Sequence, residues 1–122
     1  MAALNADGRV VAINDFATIM GSVNSVSGTG GGATVTVLPL LTTSTISVKG
    51  NDCNSADDEK DGNNAAQGLN GQFFGIGDRV TIPGAVTAVA GSGQTAILAV
   101  TVYSGTSVLV PAGSVRSVQF NG

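Results

Sequence analysis

GRVVAINDFATIMGSVNSVSGTG (residues 8–30) and GQFFGIGDRVTIPGAVTAVAGSG (residues 71–93) are two versions of one stretch, 63 residues apart with no gap. Ten of the 23 positions are identical, among them Asp15/Asp78, Ile19/Ile82, Gly21/Gly84 and Val23/Val86. Most other pairs are mild exchanges, such as Val10/Phe73 and Ala17/Val80. A repeat of this kind governs the reading of everything around it. What is duplicated is a β scaffold, not a set of reactive groups.

Working outward from the first copy, Arg9–Ile13 reads as a short strand and Ala17–Val26 as a long one interrupted by Gly21. SGTGGG (27–32) is a hairpin loop, followed by strands over Ala33–Leu41 and Thr45–Lys49. In ATVTV, Val35 and Val37 share one face and Thr34 and Thr36 the other, the alternation of a half-buried strand. The second copy repeats the plan with strands over 72–76, 79–90, 95–102 and 106–110 and a last strand at the end of the chain. Pro83-Gly84 inside the long strand predicts a bend or bulge at an edge or corner. After Val37 the offset slips to 62, so that Ile46 and Val48 match Val108 and Val110, and Cys53 matches Val115.

These boundaries give a first β unit over 1–53, a polar acidic loop or linker over 54–70 and a second unit over 71–122. Units of this size rarely build an adequate core alone, so the copies are expected to pack on each other or on neighbouring subunits. No helix of useful length is predicted.

Charged residues are 11% of the chain, against about 25% in typical soluble domains. Glycine is abundant (18), and Trp and His are absent. With net charge −3 and five cations, the chain lacks the basic stripe and aromatic platforms of nucleic-acid binding, and membrane binding is disfavoured for the same reason. Cys53 is the sole cysteine, so no intrachain disulfide is possible. An unstapled small domain with no basic, apolar leader pattern at MAALNADG points to synthesis in a reducing cytosol.

GDRVTIPGAVTAV (77–89), the turns at 91–93 and 104–105, and VPAGSV (110–115) resemble the small SH3-like barrels, including their KOW-type variants. That resemblance implies about five short strands in a bent, partly open barrel, with a turn of 3-10 helix at PAGS. The first copy follows the pattern to Lys49 and then departs from it, leaving its fifth strand open. The aromatic groove by which SH3 domains hold proline-rich peptides has no counterpart here. In size and style the whole chain also resembles the Gly/Val/Thr-rich, charge-poor β proteins that decorate or cement bacteriophage capsids. The expected fold is therefore all-β. It is either two tandem SH3-like barrels or one fused barrel or sandwich with pseudo-two-fold symmetry.

Candidate chemistry is sparse. Asp57, Glu59, Asp61 and Gly62 have the spacing of an EF-hand start, but Gly68 stands where a bidentate Glu is required, so a solvated acidic loop is preferred. The glycines of 28–32 are followed by no Lys-Ser/Thr and no helix, which excludes a P-loop. Cys53 has no His to activate it and is read as a small buried hydrophobe. Asp15 and Asp78 occupy equivalent turns and are read as Asx-type turn residues rather than an acid–base pair. No catalytic, metal or cofactor site is expected.

Phe73 and Phe74 are consecutive, so one fills the interior and the other needs cover elsewhere. Val10/Val11, Ile97/Leu98 and Val108/Leu109 show the same two-sided apolarity, and strands apolar on both faces need cover on both. The scarce aromatics Phe73, Phe74, Tyr103 and Phe120 are the candidate interface residues. The capsid resemblance implies a virion structural protein, a decoration or cement protein stabilising a phage head by inter-subunit β contacts, with the major capsid protein and copies of itself as partners. The alternative is a tandem SH3-like binding module for a peptide or glycan. An enzyme is the least favoured class.

Overall fold

A computed structural model describes residues 2–55 and 66–119. The chain is all-β, with its strands curled into a nearly closed barrel. The long strands are β3 (Phe16–Ser27) and β9 (Arg79–Ala90), with β1 (Ala3–Leu4) and β2 (Val10–Val11) ahead of β3. Between them come β4 (Thr34–Pro39), β5 (Ile46–Lys49), β6 (Asn54–Ser55), β7 (Ala66–Gln67) and β8 (Phe73–Phe74). After β9 follow β10 (Ile97–Val102), β11 (Ser107–Pro111) and β12 (Val115–Gln119). The main sheet runs β11-β10-β9-β3-β4-β5, and its two end strands approach each other.

The centre of the sheet is the antiparallel pairing of β3 with β9, where Ile19 lies opposite Ile82, its own repeat counterpart. Phe16↔Ala85 and Ser22↔Arg79 flank this pair symmetrically. A pseudo-two-fold axis therefore passes through the Ile19/Ile82 pair. The burial of the two long strands is the same position by position, as it is for β4 and β10.

The last strand of each repeat crosses to the other repeat. β12 pairs with β3 (Val115↔Ile19), and β6 pairs with β9 (Asn54↔Thr81). The N-terminal hairpins do the same: Leu4 N donates to Gly93 O, and Gln67 N to Gly30 O. The fifth strand left open in the first copy is thus present as the two residues of β6. The segment expected as a polar loop contributes strands at both ends, with Ala66 fully buried. Its centre, including Asp57, Glu59, Asp61 and Gly62, lies outside the described residues.

One buried cluster joins both repeats, including Ile19, Val35, Val37, Phe74, Ile82, Leu98 and Val100. Burying each large side chain of this kind stabilises by about 1.5–3 kcal/mol. The one-residue slip in offset is borne out, since Val35↔Val48 and Val37↔Ile46 correspond to Leu98↔Val110 and Val100↔Val108. Cys53 and Val115 are both fully buried, each following a 3-10 turn, Gly50–Asp52 and Ala112–Ser114.

Pro83-Gly84, expected at a bend or bulge at an edge or corner, lies on a strand that is paired along both sides. β9 is central, and Pro83 sits where its outer partner changes from β6, paired up to Thr81, to β10, paired from Gly84. A residue without an N–H fits at such a junction. The bulges lie three residues further on, at the equivalent Asn24 and Thr87, which the register of the neighbouring strands skips.

Gly21 and Gly84 are glycine for lack of space. A Cβ on Gly21 would lie 2.6 Å from Leu38 O and from Val37 Cγ1. On Gly84 it would lie 2.6 Å from Thr101 O and from Val100 Cγ1. Gly21→Ala and Gly84→Ala are each expected to destabilise by about 1–3 kcal/mol, and by similar amounts. Urea denaturation checks this; a neutral result at either position would mean that the strands do not approach so closely.

Candidate functional site: two related grooves and an apolar outer face

The turn Ala12–Asp15 brings β3 into the sheet, and Gly75–Asp78 does the same for β9. Asp15 Oδ2 accepts the Ala12 N–H at 2.9 Å and Asp78 Oδ2 the Gly75 N–H at 3.0 Å. Both carboxylates are buried in separate turns. They bond backward to the residue three before, so they close the turns as expected, although in the reverse direction to an Asx turn. Asp78 Oδ1 is buried without a hydrogen-bond partner among the described residues.

Asp52 is fully buried and ties the repeats together. Its Oδ1 accepts the Ser104 N–H at 2.8 Å. Its Oδ2 accepts Ser104 Oγ–H at 2.9 Å and the Lys49 N–H at 3.0 Å. The β10–β11 loop is thereby fastened to the 3-10 turn of the first repeat. In the other half Ser114 stands in Asp52's place and donates to Pro111 O at 2.7 Å. There the β4–β5 loop rests on the turn through Leu41, whose Cδ1 lies over Gly113. That loop is also one residue longer, which is the origin of the slip from 63 to 62.

This difference shapes two grooves related by the pseudo-two-fold axis. The first, about 610 Å³, is lined by Met20, Leu38, Pro39, Leu40, Leu41 and Val80, with Arg79 and the hydroxyl residues Ser22, Thr42 and Thr81 among its other walls. The second, about 330 Å³, is lined by Phe16, Leu69, Pro83, Ala85, Val102 and Tyr103, among others. Met20 corresponds to Pro83, Leu40 to Tyr103 and Arg79 to Phe16.

Of the candidate interface residues, Phe74 is fully buried and fills the interior, while Phe73 is 39% exposed. Tyr103 is 66% exposed and meets Phe16 and Leu69 in the second groove. Phe73, on the β7–β8 hairpin, is not part of that lining. Phe120 lies outside the described residues. The other two-sided pairs divide in the same way: Val11, Leu98 and Val108 are buried, whereas Val10, Ile97 and Leu109 face outward. Among the described residues, the packing of the two repeats on each other leaves the outward members exposed. Sequence reasoning missed Phe16, Leu69 and the aliphatic groove around Leu40. Their signal was available in the positions where the two copies differ most, Phe16/Arg79 and Met20/Pro83.

No group of three or more His, Cys, Asp or Glu side chains is placed to hold a metal among the described residues. Burial and the nearby Asp52 carboxylate push the Cys53 thiol up to about 12. No protein-family model, curated protein or solved structure matches the chain.

Two outcomes follow from the buried polar groups. Asp52→Ala is expected to cost about 3 kcal/mol and Ser104→Ala about 1 kcal/mol by urea denaturation, because the first removes a charged acceptor from three donors. The Cys53 thiol stays protonated in the folded state while an unfolded thiol ionises near its ordinary value of 9.0. Its contribution to stability is therefore complete below about pH 9 and is lost as pH rises towards about 12, by up to about 1.4 kcal/mol per pH unit. Cys53→Val, which copies Val115, should remove this component of the alkaline loss; denaturation curves of the two chains at pH 8 and pH 11 measure it.

Proposed function

We propose that this chain is a non-enzymatic structural protein of a virion, a decoration or cement protein that stabilises a phage head by packing between capsid subunits. The observation that carries this reading is the outward apolar set: Val10, Phe73, Ile97, Tyr103 and Leu109 are all exposed on strands or turns of a well-packed barrel. Their partners in sequence fill the core, so folding does not require them to be apolar. Burial against a neighbour gives them a use. Low charge density limits the desolvation cost of packing many copies side by side. The end strands β5 and β11 approach each other without pairing among the described residues, so backbone pairing with a neighbour supports the reading beside side-chain burial.

The partners in this proposal are the major capsid protein and further copies of the chain, with the virion as its location and an SH3-like arrangement of strands in each repeat. The test is co-sedimentation of the full chain with shells assembled from the major capsid protein encoded in the same genome. Saturable binding is expected, and Phe73→Ser combined with Tyr103→Ser should weaken it at least tenfold while leaving the melting temperature nearly unchanged. A genome with no capsid genes, or a chain that stays monomeric and never sediments with shells, sinks the proposal.

A further inference from the structure

The duplication provides an internal control. Positions that build the core kept their character across the two copies, from Ile19/Ile82 to Val37/Val100. The two grooves, which sit at equivalent places on the same scaffold, did not. The first is nearly twice the volume of the second, and aliphatic side chains replace the Pro and Tyr of its counterpart.

Charge separates them further. Arg79 lines the first groove, where the second has Phe16. Arg116 of β12 does not line the groove but touches one of its wall residues, its Nη1 lying 3.9 Å from the Sδ of Met20. At the equivalent of Arg116 the other half has Asn54. Of the five cations, Arg79 lines the groove and Arg116 contacts its wall residue Met20. No acidic residue is among the described residues lining it. Arg116 also pairs with Asp7, Nε to Oδ1 at 3.4 Å, with both side chains substantially exposed, a geometry that holds little energy. Arg79 has interactions of its own, and the five donors of a guanidinium allow it to take a carboxylate in addition.

We infer that the groove between β3, the β4–β5 loop and the start of β9 binds an anionic amphiphile, a free aliphatic carboxylate with its chain along Met20, Leu38, Leu40 and Leu41 and its head at Arg79. The volume lies in the range of small-molecule sites, and an apolar lining with a few placed polar groups is the composition such sites share. Arg79 is exposed, and the loop carrying Leu40 and Leu41 is held by the Leu40 N–H donating to Met20 O at 2.9 Å and by the contact of Leu41 with Gly113, with no buried carboxylate against it among the described residues. The side chains of Leu40 and Leu41 can change rotamer around a ligand chain while that backbone bond stays in place. This inference concerns a free ligand and does not depend on the capsid reading.

The experiment is titration of the full-length chain with dodecanoate below its micelle concentration, followed by backbone amide NMR. Saturable 1:1 binding is expected, with shifts concentrated at residues 20–22, 38–42 and 79–81. Arg79→Gln should weaken it at least tenfold, whereas Lys49→Gln, an equal loss of charge away from the groove, should leave it unchanged. Dodecanol should bind more weakly than dodecanoate. Circular dichroism of each variant establishes that the exposed substitutions leave the fold intact. Absence of saturation, shifts scattered over the outer face, or equal weakening by Arg79→Gln and Lys49→Gln would each overturn the inference.

Discussion

Everything in this barrel depends on two long strands meeting at one symmetric point. Ile19 and Ile82 are repeat counterparts, they are opposite each other in the ladder, and both are fully buried. A slip of either strand by one residue there would turn its apolar face outward, because side chains alternate with period two. The same slip would break the pairing of β12 with β3 and of β6 with β9. The crossing register therefore determines which residues form the core and which partners the remaining strands find.

That arrangement changes what the duplication means. Each repeat donates its last strand and its first hairpin to the other, so the unit that closes a core is the pair. Neither 1–53 nor 71–122 carries the strands that complete its own long strand. Pairings so distant in sequence impose a large loop-closure cost before they are rewarded, which places such a fold among the slower-folding topologies. The hydrogen bonds that Ser104 donates to Asp52 span this divide as well. A buried carboxylate satisfied by three donors is specific as well as stabilising, since any other packing of the halves would strand the charge.

Much of the fold was legible because the repeat doubled every local signal. The alternation in ATVTV, the shared glycines and the slip after Val37 located the strands and paired Ile46 and Val48 with their counterparts. Pairing between the copies was harder to read. Hydrophobic alternation says which face of a strand is buried but not which strand lies beside it, so the choice between two barrels and one fused barrel stayed open. Pro83 illustrates the difficulty: a proline inside a strand signals an edge, yet here it marks the place where a central strand changes partners. The Asp52 tether was invisible for a similar reason, because its partner is 52 residues away and has no counterpart in the other half. The outward apolar residues were legible as two-sided strands, whereas the grooves required the loops to be in place.

The internal symmetry also separates what folding demands from what it leaves free. Gly21 and Gly84 are both held by a backbone oxygen 2.6 Å from any added Cβ, and the identity of that pair needs no functional cause. Phe16 and Arg79 share one structural position, at the mouth of a groove, and folding accepts either. A position that tolerates both an aromatic ring and a guanidinium is under no packing constraint. The difference between the two halves then records other pressures on the surface. One groove is aromatic, with its loop fastened to a buried carboxylate, and the other is aliphatic and lined by Arg79. Where the core is duplicated so closely, such divergence is the most direct physical indication that the two faces meet different chemistry.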